Sequence, residues 1–166
     1  MSNIESIGAS SFDQARFREV LGHFASGITI VTTHDSLGPS GFTCQSFMSL
    51  SLDPALVAIA PSKTSDTWPR LQAAKCGCIN VLGESHESLA RNFAGKGENK
   101  FDGVGYRSGS NGAPILDGAL AYLECCVQDV YEAGDHYLVT LAVSDLGTDG
   151  GDPIIFYRGG FGYFRA

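Results

Sequence analysis

Apolar residues recur at Phe17, Val20, Leu21 and Phe24 along one face of a helix, and Ser11 with Gln14 three residues on gives that helix a capping-box start. Gly27 marks its end. Ile28 to Thr33 is rich in β-branched residues and reads as a first strand, with Gly38-Pro39 turning the chain back. Gly41 to Pro54 mixes apolar side chains with the hydroxyls of Thr43, Ser46, Ser49 and Ser51, and predicts a strand with an irregular turn into Asp53-Pro54. Ala55 to Ala60 is an unbroken apolar run between two prolines, the mark of a central strand. Ser62 to Asp66 reads as a polar loop opening into a short helix with Pro69 near its first turn.

The second half continues with a strand over Cys78 to Leu82 and a helix over Ser85 to Phe93 that buries Leu89 and Phe93. Gly95 to Phe101 is a glycine-punctuated loop with two lysines, and Gly103 to Leu116 is a glycine-rich connection without period. Ala119 to Tyr131 and Tyr137 to Leu146 predict two long strands around Gly134-Asp135-His136. Pro153 to Tyr157 predicts a last strand, and Arg158 to Phe164 a flexible aromatic tail.

A chain of 166 residues, 43% hydrophobic, can bury one good core, so 1–166 reads as a single domain with residues 1–10 a flexible lead-in. The 21 glycines and six prolines favour many short elements joined by tight turns over a helical bundle. A net charge of -7 opposes the phosphate attraction that nucleic-acid binding needs. Any anionic ligand must be held by placed groups. No apolar run spans a bilayer and the N-terminus lacks the order of a signal peptide, which predicts a cytoplasmic protein. Five cysteines in a reducing compartment read as free thiols rather than a disulfide framework. Cys125 and Cys126 point to opposite faces of a strand, so with Cys76-Gly77-Cys78 they form no expected metal site.

Several common chemistries are missing: there is no GxGxxG after a strand, no P-loop, no GxSxG elbow and no His-Glu-x-x-His. Cys44 has no basic neighbour in sequence to activate it as a nucleophile. The clustered hydroxyls of Thr43 to Ser51 suit a phosphate or the polar edge of a heterocycle, and equally a half-buried strand whose polar face meets water. Ser62, Lys63, Thr64 and Ser65 bring hydroxyls and a cation to a helix start, which suits a phosphate as well as an ordinary cap.

The runs Phe24-Ala25-Ser26-Gly27-Ile28-Thr29-Ile30-Val31-Thr32, Gly41 to Pro54 and Gly134-Asp135-His136 resemble the short-chain flavin reductases of two-component monooxygenases. The match runs in order from about Phe17 to Phe164. The Cys44-Gln45-Ser46-Phe47 form of the central motif and Pro61-Ser62-Lys63-Thr64-Ser65 look closest to reductases serving actinobacterial aromatic, steroid or natural-product hydroxylases. The resemblance implies an α+β fold on an antiparallel Greek-key split barrel with peripheral helices, the FMN-binding split barrel. It implies a homodimer, FAD or FMN as flavin, NADH or NADPH as reductant, and a partner oxygenase that receives reduced flavin. The few arginines and the pI of about 4.9 favour NADH. Two other readings stay open: a flavin-binding protein without turnover, and a pyridoxamine-phosphate-oxidase-like enzyme on the same barrel.

The resemblance also implies a site. Flavin contacts fall on Thr43, Cys44, Gln45, Ser46, Phe47 and Ser49, with Ser46 and Ser49 expected to hydrogen-bond the flavin, and on Pro61, Ser62, Lys63, Thr64 and Ser65. Lys100-Phe101 matches, imperfectly, a Lys-Phe or Arg-Phe that closes over the flavin side chain. His136 lies beside the reacting rings, with Tyr157 at the end of the last strand and Arg158, Gly160 and Tyr163 of the aromatic tail also at the site. By its neighbours alone, His136 in Gly-Asp-His also suits a hydrogen-bonded turn. Hydride transfer between stacked rings needs no strong acid or base, so the expected tasks of the protein are positioning, exclusion of water and charge stabilisation.

Overall fold

The computed structural model describes residues 13–97 and 99–165. Ser11 and residues 1–10 lie outside that range. The first helix, α1 (Gln14–Leu21), is capped by Asp13, whose carboxylate accepts from the Ala15 amide at 3.1 Å, and it closes at Gly22, well short of Gly27. Its apolar face is exposed, with Phe17 53% and Leu21 55% open to solvent, and Phe24, just past the helix, is 83% open. The periodicity is real, but within this chain it buries nothing.

The chain then builds β1 (Ser26–Gly27), β2 (Thr29–Asp35), β3 (Gly38–Cys44), β4 (Met48–Leu52) and β5 (Ala55–Ile59). Helix α2 (Trp68–Ala74), strand β6 (Cys76–Val81) and helix α3 (Glu87–Ala94) follow, then a small hairpin of β7 (Tyr106–Ser108) and β8 (Pro114–Leu116). Long strands β9 (Ala121–Ala133) and β10 (His136–Thr148) precede a final hairpin of β11 (Ile154–Tyr157) and β12 (Gly160–Tyr163). The main sheet is antiparallel in the order β3-β2-β6-β9-β10-β5-β4, and β1-β11-β12 form a second sheet. Thus β5 is next to an edge, not central, because β4 pairs with it as the terminal strand.

Gly41 to Pro54 is two strands rather than one, broken at residues 45–47, and these lie at opposite edges of the seven-stranded sheet. Four Cα steps from Cys44 to Met48 span at most about 15 Å, so the sheet must curl until its edges approach. That curl opens a groove between them.

Successive residues of β2 serve opposite faces. Ile30 packs with Ile28, Leu82, Ala90 and Phe93, while Val31 packs with Trp68, Leu71, Ile79 and Val139. Two glycines let the helices sit close: a Cβ at Gly41 would lie 2.8 Å from the Phe93 ring, and one at Gly77 would lie 2.6 Å from both Leu71 Cδ1 and the Thr32 carbonyl oxygen. Buried Asn80 ties the layers together, donating to the Ile30 and Pro114 carbonyls and to Thr32 Oγ1, and accepting from the Leu116 amide at 2.8 Å.

Three expectations about the chain's second half need correction. Residues 103–116 hold the β7–β8 hairpin, whose turn is fixed by Ser110 and the Asn111 amide donating to the buried Glu124 carboxylate. The tail is no free arm, since β12 pairs with β11 and Phe161 meets Phe156 edge-on at 5.3 Å. Cys76 and Cys126 form a disulfide because they stand directly opposite in the β6–β9 register; Cys44, Cys78 and Cys125 are free and buried.

Arg70 of α2 donates Nε and Nη2 to the Asp35 carboxylate and Nη2 to the Gly38 carbonyl, fastening the helix to the β2–β3 turn. The hydrogen-bonded guanidinium holds the Asp35 carboxyl down at about 2 against an ordinary 3.8. A depressed folded-state value means that this stabilisation is whole above the ordinary value and is lost as pH falls through the depressed one. Asp35→Asn is therefore expected to lower the melting temperature at pH 7, with the gap to the parent closing near pH 2; a constant gap would contradict the pairing. Among the described residues no helix is long and apolar enough to cross a membrane.

Candidate functional site

The curled sheet leaves a groove of about 570 Å³ between the end of β3, the crossing segment after it, the loop before α2, the end of α3 and the start of β10. Of the residues singled out in the sequence it gathers Thr43, Cys44, Gln45, Ser46, Pro61, Ser62, Thr64, Ser65, Lys100 and His136. Phe42, Ala60, Asp66, Thr67, Phe93, Ala94, Gly95 and Lys96 also line it, and sequence reasoning did not select them for the site. Phe93 belongs to the core as well, and Thr67 carries a sequence signal, a hydroxyl at the helix cap.

Many of the hydroxyls are already committed. Thr43 Oγ1 donates to the Ala90 carbonyl at 2.6 Å, fixing α3 to β3. Ser46 Oγ accepts from the Ala60 amide at 2.9 Å and lies 3.2 Å from the Ala60 carbonyl, which pins the crossing segment to the end of β5. These bonds shape the groove wall. Ser65 Oγ accepts from the Trp68 amide, and Thr67 Oγ1 donates to the Gly41 carbonyl. Ser62 and Thr64 share one hydrogen bond of 2.9 Å between their hydroxyls, so of their two hydroxyl hydrogens one remains to turn toward a ligand.

Lys100 reaches into the groove with Nζ 3.1 Å from the Phe93 carbonyl and 3.3 Å from that of Gly41, two acceptors for three donors. Burial lowers its pKa, opposed by the charge of Asp66. Lys63 is spent elsewhere, on Glu132 at 2.5 Å, and this partner raises its pKa. His136 begins β10 and bridges to Ser62 across the groove wall, where Lys63 N donates to the Asp135 carbonyl and Tyr137 N to that of Pro61. His136 Nδ1 lies 2.7 Å from Asp135 Oδ1, and the imidazole holds the Asp135 carboxyl below its usual range. Burial pushes the Cys44 thiol up, away from thiolate chemistry.

The remaining expected residues lie outside this groove. Phe47 and Phe101 pack on the two cores, and Ser49 sits on β4. Tyr157, Arg158, Gly160 and Tyr163 belong to the final hairpin, with Tyr163 Oη donating to Glu87 at 3.3 Å. That hairpin instead borders a second groove of about 630 Å³, which adjoins the first through Thr43, Gln45, Ala94 and Gly95. There Arg91, paired with Glu87, lies 4.5 Å over the Phe161 ring.

Residues 21–165 match the model of the Flavin reductase like domain. The chain belongs to the flavin reductase-like family. It is 42% identical over 159 residues to a flavin reductase of Pseudomonas putida, covering 95% of this chain and 94% of the relative. The crystal structure of nitrilotriacetate monooxygenase component B from Mycobacterium thermoresistibile superposes with a TM-score of 0.90 at 40% identity, covering 95% of this chain and 89% of that one. An NADH:FAD oxidoreductase of Streptomyces globisporus, solved with NAD and FAD fragments, superposes with a TM-score of 0.88 at 36% identity over 92% of this chain and 93% of its own. Membership in the family and likeness to these enzymes identify the chain as a flavin reductase, an oxidoreductase that works on flavin with a nicotinamide reductant.

Proposed function

We propose that this flavin reductase takes FAD or FMN into the groove between Thr43–Ser46, residues 61–67, Lys100 and His136, reduces it with NADH, and releases it to a separate oxygenase. One observation carries the placement: the groove brings three sequence-distant segments of the family resemblance to one wall around a partly desolvated ammonium. Its volume lies within the range of roughly 300–1,000 Å³ usual for cofactor sites. The donors present, Lys100 Nζ and the Ser62–Thr64 pair, suit the phosphate and carbonyl oxygens of a flavin.

Bound flavin supplies the acceptor for a hydride from the nicotinamide. The chain's own residues orient and enclose. His136 is held by Asp135 at the groove mouth to contact the nicotinamide side, Phe42 and Phe93 give apolar wall, and the main chain of the crossing segment provides the surface that excludes water. The cations lining the first groove are Lys96 and Lys100, and Arg91 in the second is already paired with Glu87, which supports NADH over the more anionic NADPH.

The fold reading that accompanies this function is the split barrel, with the seam between β3 and β4 crossed by residues 45–47. A homodimer gives the exposed apolar residues Phe17, Val20 and Leu21 of α1, with Phe24 just after it, a partner, since such apolar faces are seldom left to water. The protein is read as cytoplasmic and the oxygenase as a diffusive rather than a docked partner. Reduced flavin should then support an oxygenase of the same class held across a dialysis membrane; turnover only on mixing would sink free release.

Lys100→Met is expected to weaken flavin binding about tenfold or more, because a hydrogen bond to a charged group contributes roughly 1.5–3 kcal/mol. Flavin fluorescence titration reads this directly, and an unchanged dissociation constant in a folded variant would remove Lys100 from the site.

A further inference from the structure

Four of the five cysteines meet where β6 pairs with β9: Cys76 opposite Cys126, with Cys78 opposite Glu124 and Cys125 opposite Gly77. Cys76 and Cys126 are part-exposed and bonded, whereas Cys44, Cys78 and Cys125 are 5%, 0% and 1% exposed and free. Burial pushes the thiols of Cys78 and Cys125 up to about 12, so an oxidant arriving from solvent meets the part-exposed Cys76–Cys126 pair first.

The bonded pair stands at the corner where α2 ends. Lys75 closes that helix in the left-handed region, its amide donating to the Leu71 carbonyl at 2.8 Å and its carbonyl accepting from Val127 N at 2.7 Å. The bond and the Val127 contact together clamp residues 75–76 to β9. At its other end α2 begins at Thr67, which lines the groove and donates to the Gly41 carbonyl. A change at the corner therefore reaches the groove wall through one two-turn helix.

We propose that Cys76 and Cys126 are a reversible modification site, closed by hydrogen peroxide and opened by thiols, whose closed state fixes α2 and with it the 61–67 wall of the groove. Disulfides in reducing compartments are usually transient or redox-sensing, which a pair this accessible suits. The oxidant comes from the reaction's own product: dihydroflavin that meets O₂ before an oxygenase passes it two electrons and two protons, giving flavin and H₂O₂. One cysteine thiolate attacks a peroxide oxygen, the O–O bond breaks, and the sulfur becomes a sulfenic acid as hydroxide leaves. The second thiolate attacks that sulfur and displaces its hydroxyl, forming the S–S bond. Each sulfur gives up one electron, and with the two thiol protons the peroxide leaves as two waters.

The test uses the full chain, fully reduced and freed of reductant, then treated with a few equivalents of hydrogen peroxide. The five thiols of the sequence should fall to three, with a mass loss of two hydrogens, and dithiothreitol should restore all five. Backbone amide exchange across residues 61–74 should be about threefold or more faster in the reduced form than in the closed one. Cys126→Ser should exchange at the reduced rate whether or not peroxide is added; should that variant fold poorly, the reduced parent carries the same comparison. Five persisting thiols, loss first at Cys44, Cys78 or Cys125, or equal exchange in the two states would overturn the proposal. It rests on the flavin-reductase reading only for the source of the peroxide, which is added here as a reagent, so failure of that reading leaves these readouts unchanged.

Discussion

His136→Ala is expected to raise the Michaelis constant for NADH and lower kcat together, each about tenfold, where a tenfold step is about 1.4 kcal/mol. The reason is the side chain's place: it lines the groove at the head of β10, oriented by Asp135 at 2.7 Å. Flavin affinity should change far less. The main-chain bonds of this corner, Lys63 N to the Asp135 carbonyl and Tyr137 N to the Pro61 carbonyl, do not involve the imidazole and survive the substitution. A residue that serves only the turn would behave in the opposite way, losing melting temperature and keeping its kinetics. Melting and NADH kinetics on one preparation separate the two, and normal NADH dependence would move His136 out of the site.

Asn80→Ala should cost on the order of 3–5 kcal/mol of stability. The side chain is fully buried, and its loss strands the Leu116 amide, takes a donor from the Ile30 and Pro114 carbonyls and from Thr32 Oγ1, and leaves a void between β2, β6 and β8. For a chain of this size the melting temperature should fall by roughly 10 °C, at about 2–4 °C per kcal/mol. Because Asn80 does not line the groove, the folded fraction should keep its flavin affinity. A fall of only a degree or two would mean that water or repacking satisfies those groups.

What the sequence made legible was what local period encodes. The helix at α3, the short helix after Ser62–Asp66, the β-branched run of β2 and the two long strands all announce themselves through spacing within one segment. Features set by distant pairing were not legible. The break at residues 45–47 has the same mixture of small hydroxyls and apolar residues as the strands beside it, and only the sheet order places β3 and β4 on opposite edges. Cys76 faces Cys126 through a register fixed fifty residues away, and the tail becomes β12 because β11 offers it an edge.

The site was legible as a set of segments more than as a set of contacts. Thr43–Ser46, Pro61–Ser65, Lys100 and His136 converge, yet counting hydroxyls does not say which are spent inward. Ser46 serves Ala60 and Thr43 serves Ala90, whereas Ser49 leaves the groove altogether with β4. Lys63 and Lys100 look alike in sequence, and only tertiary packing gives Glu132 to the first and the groove to the second.

Steady-state oxidation of NADH and NADPH by the purified chain, with FAD and FMN each supplied in excess, tests the central claim most directly. Many equivalents of NADH should be consumed per protein, saturably in flavin, with NADPH the poorer reductant. Consumption that stops at one equivalent per protein, or none with either flavin, would contradict a reductase that turns flavin over as a substrate.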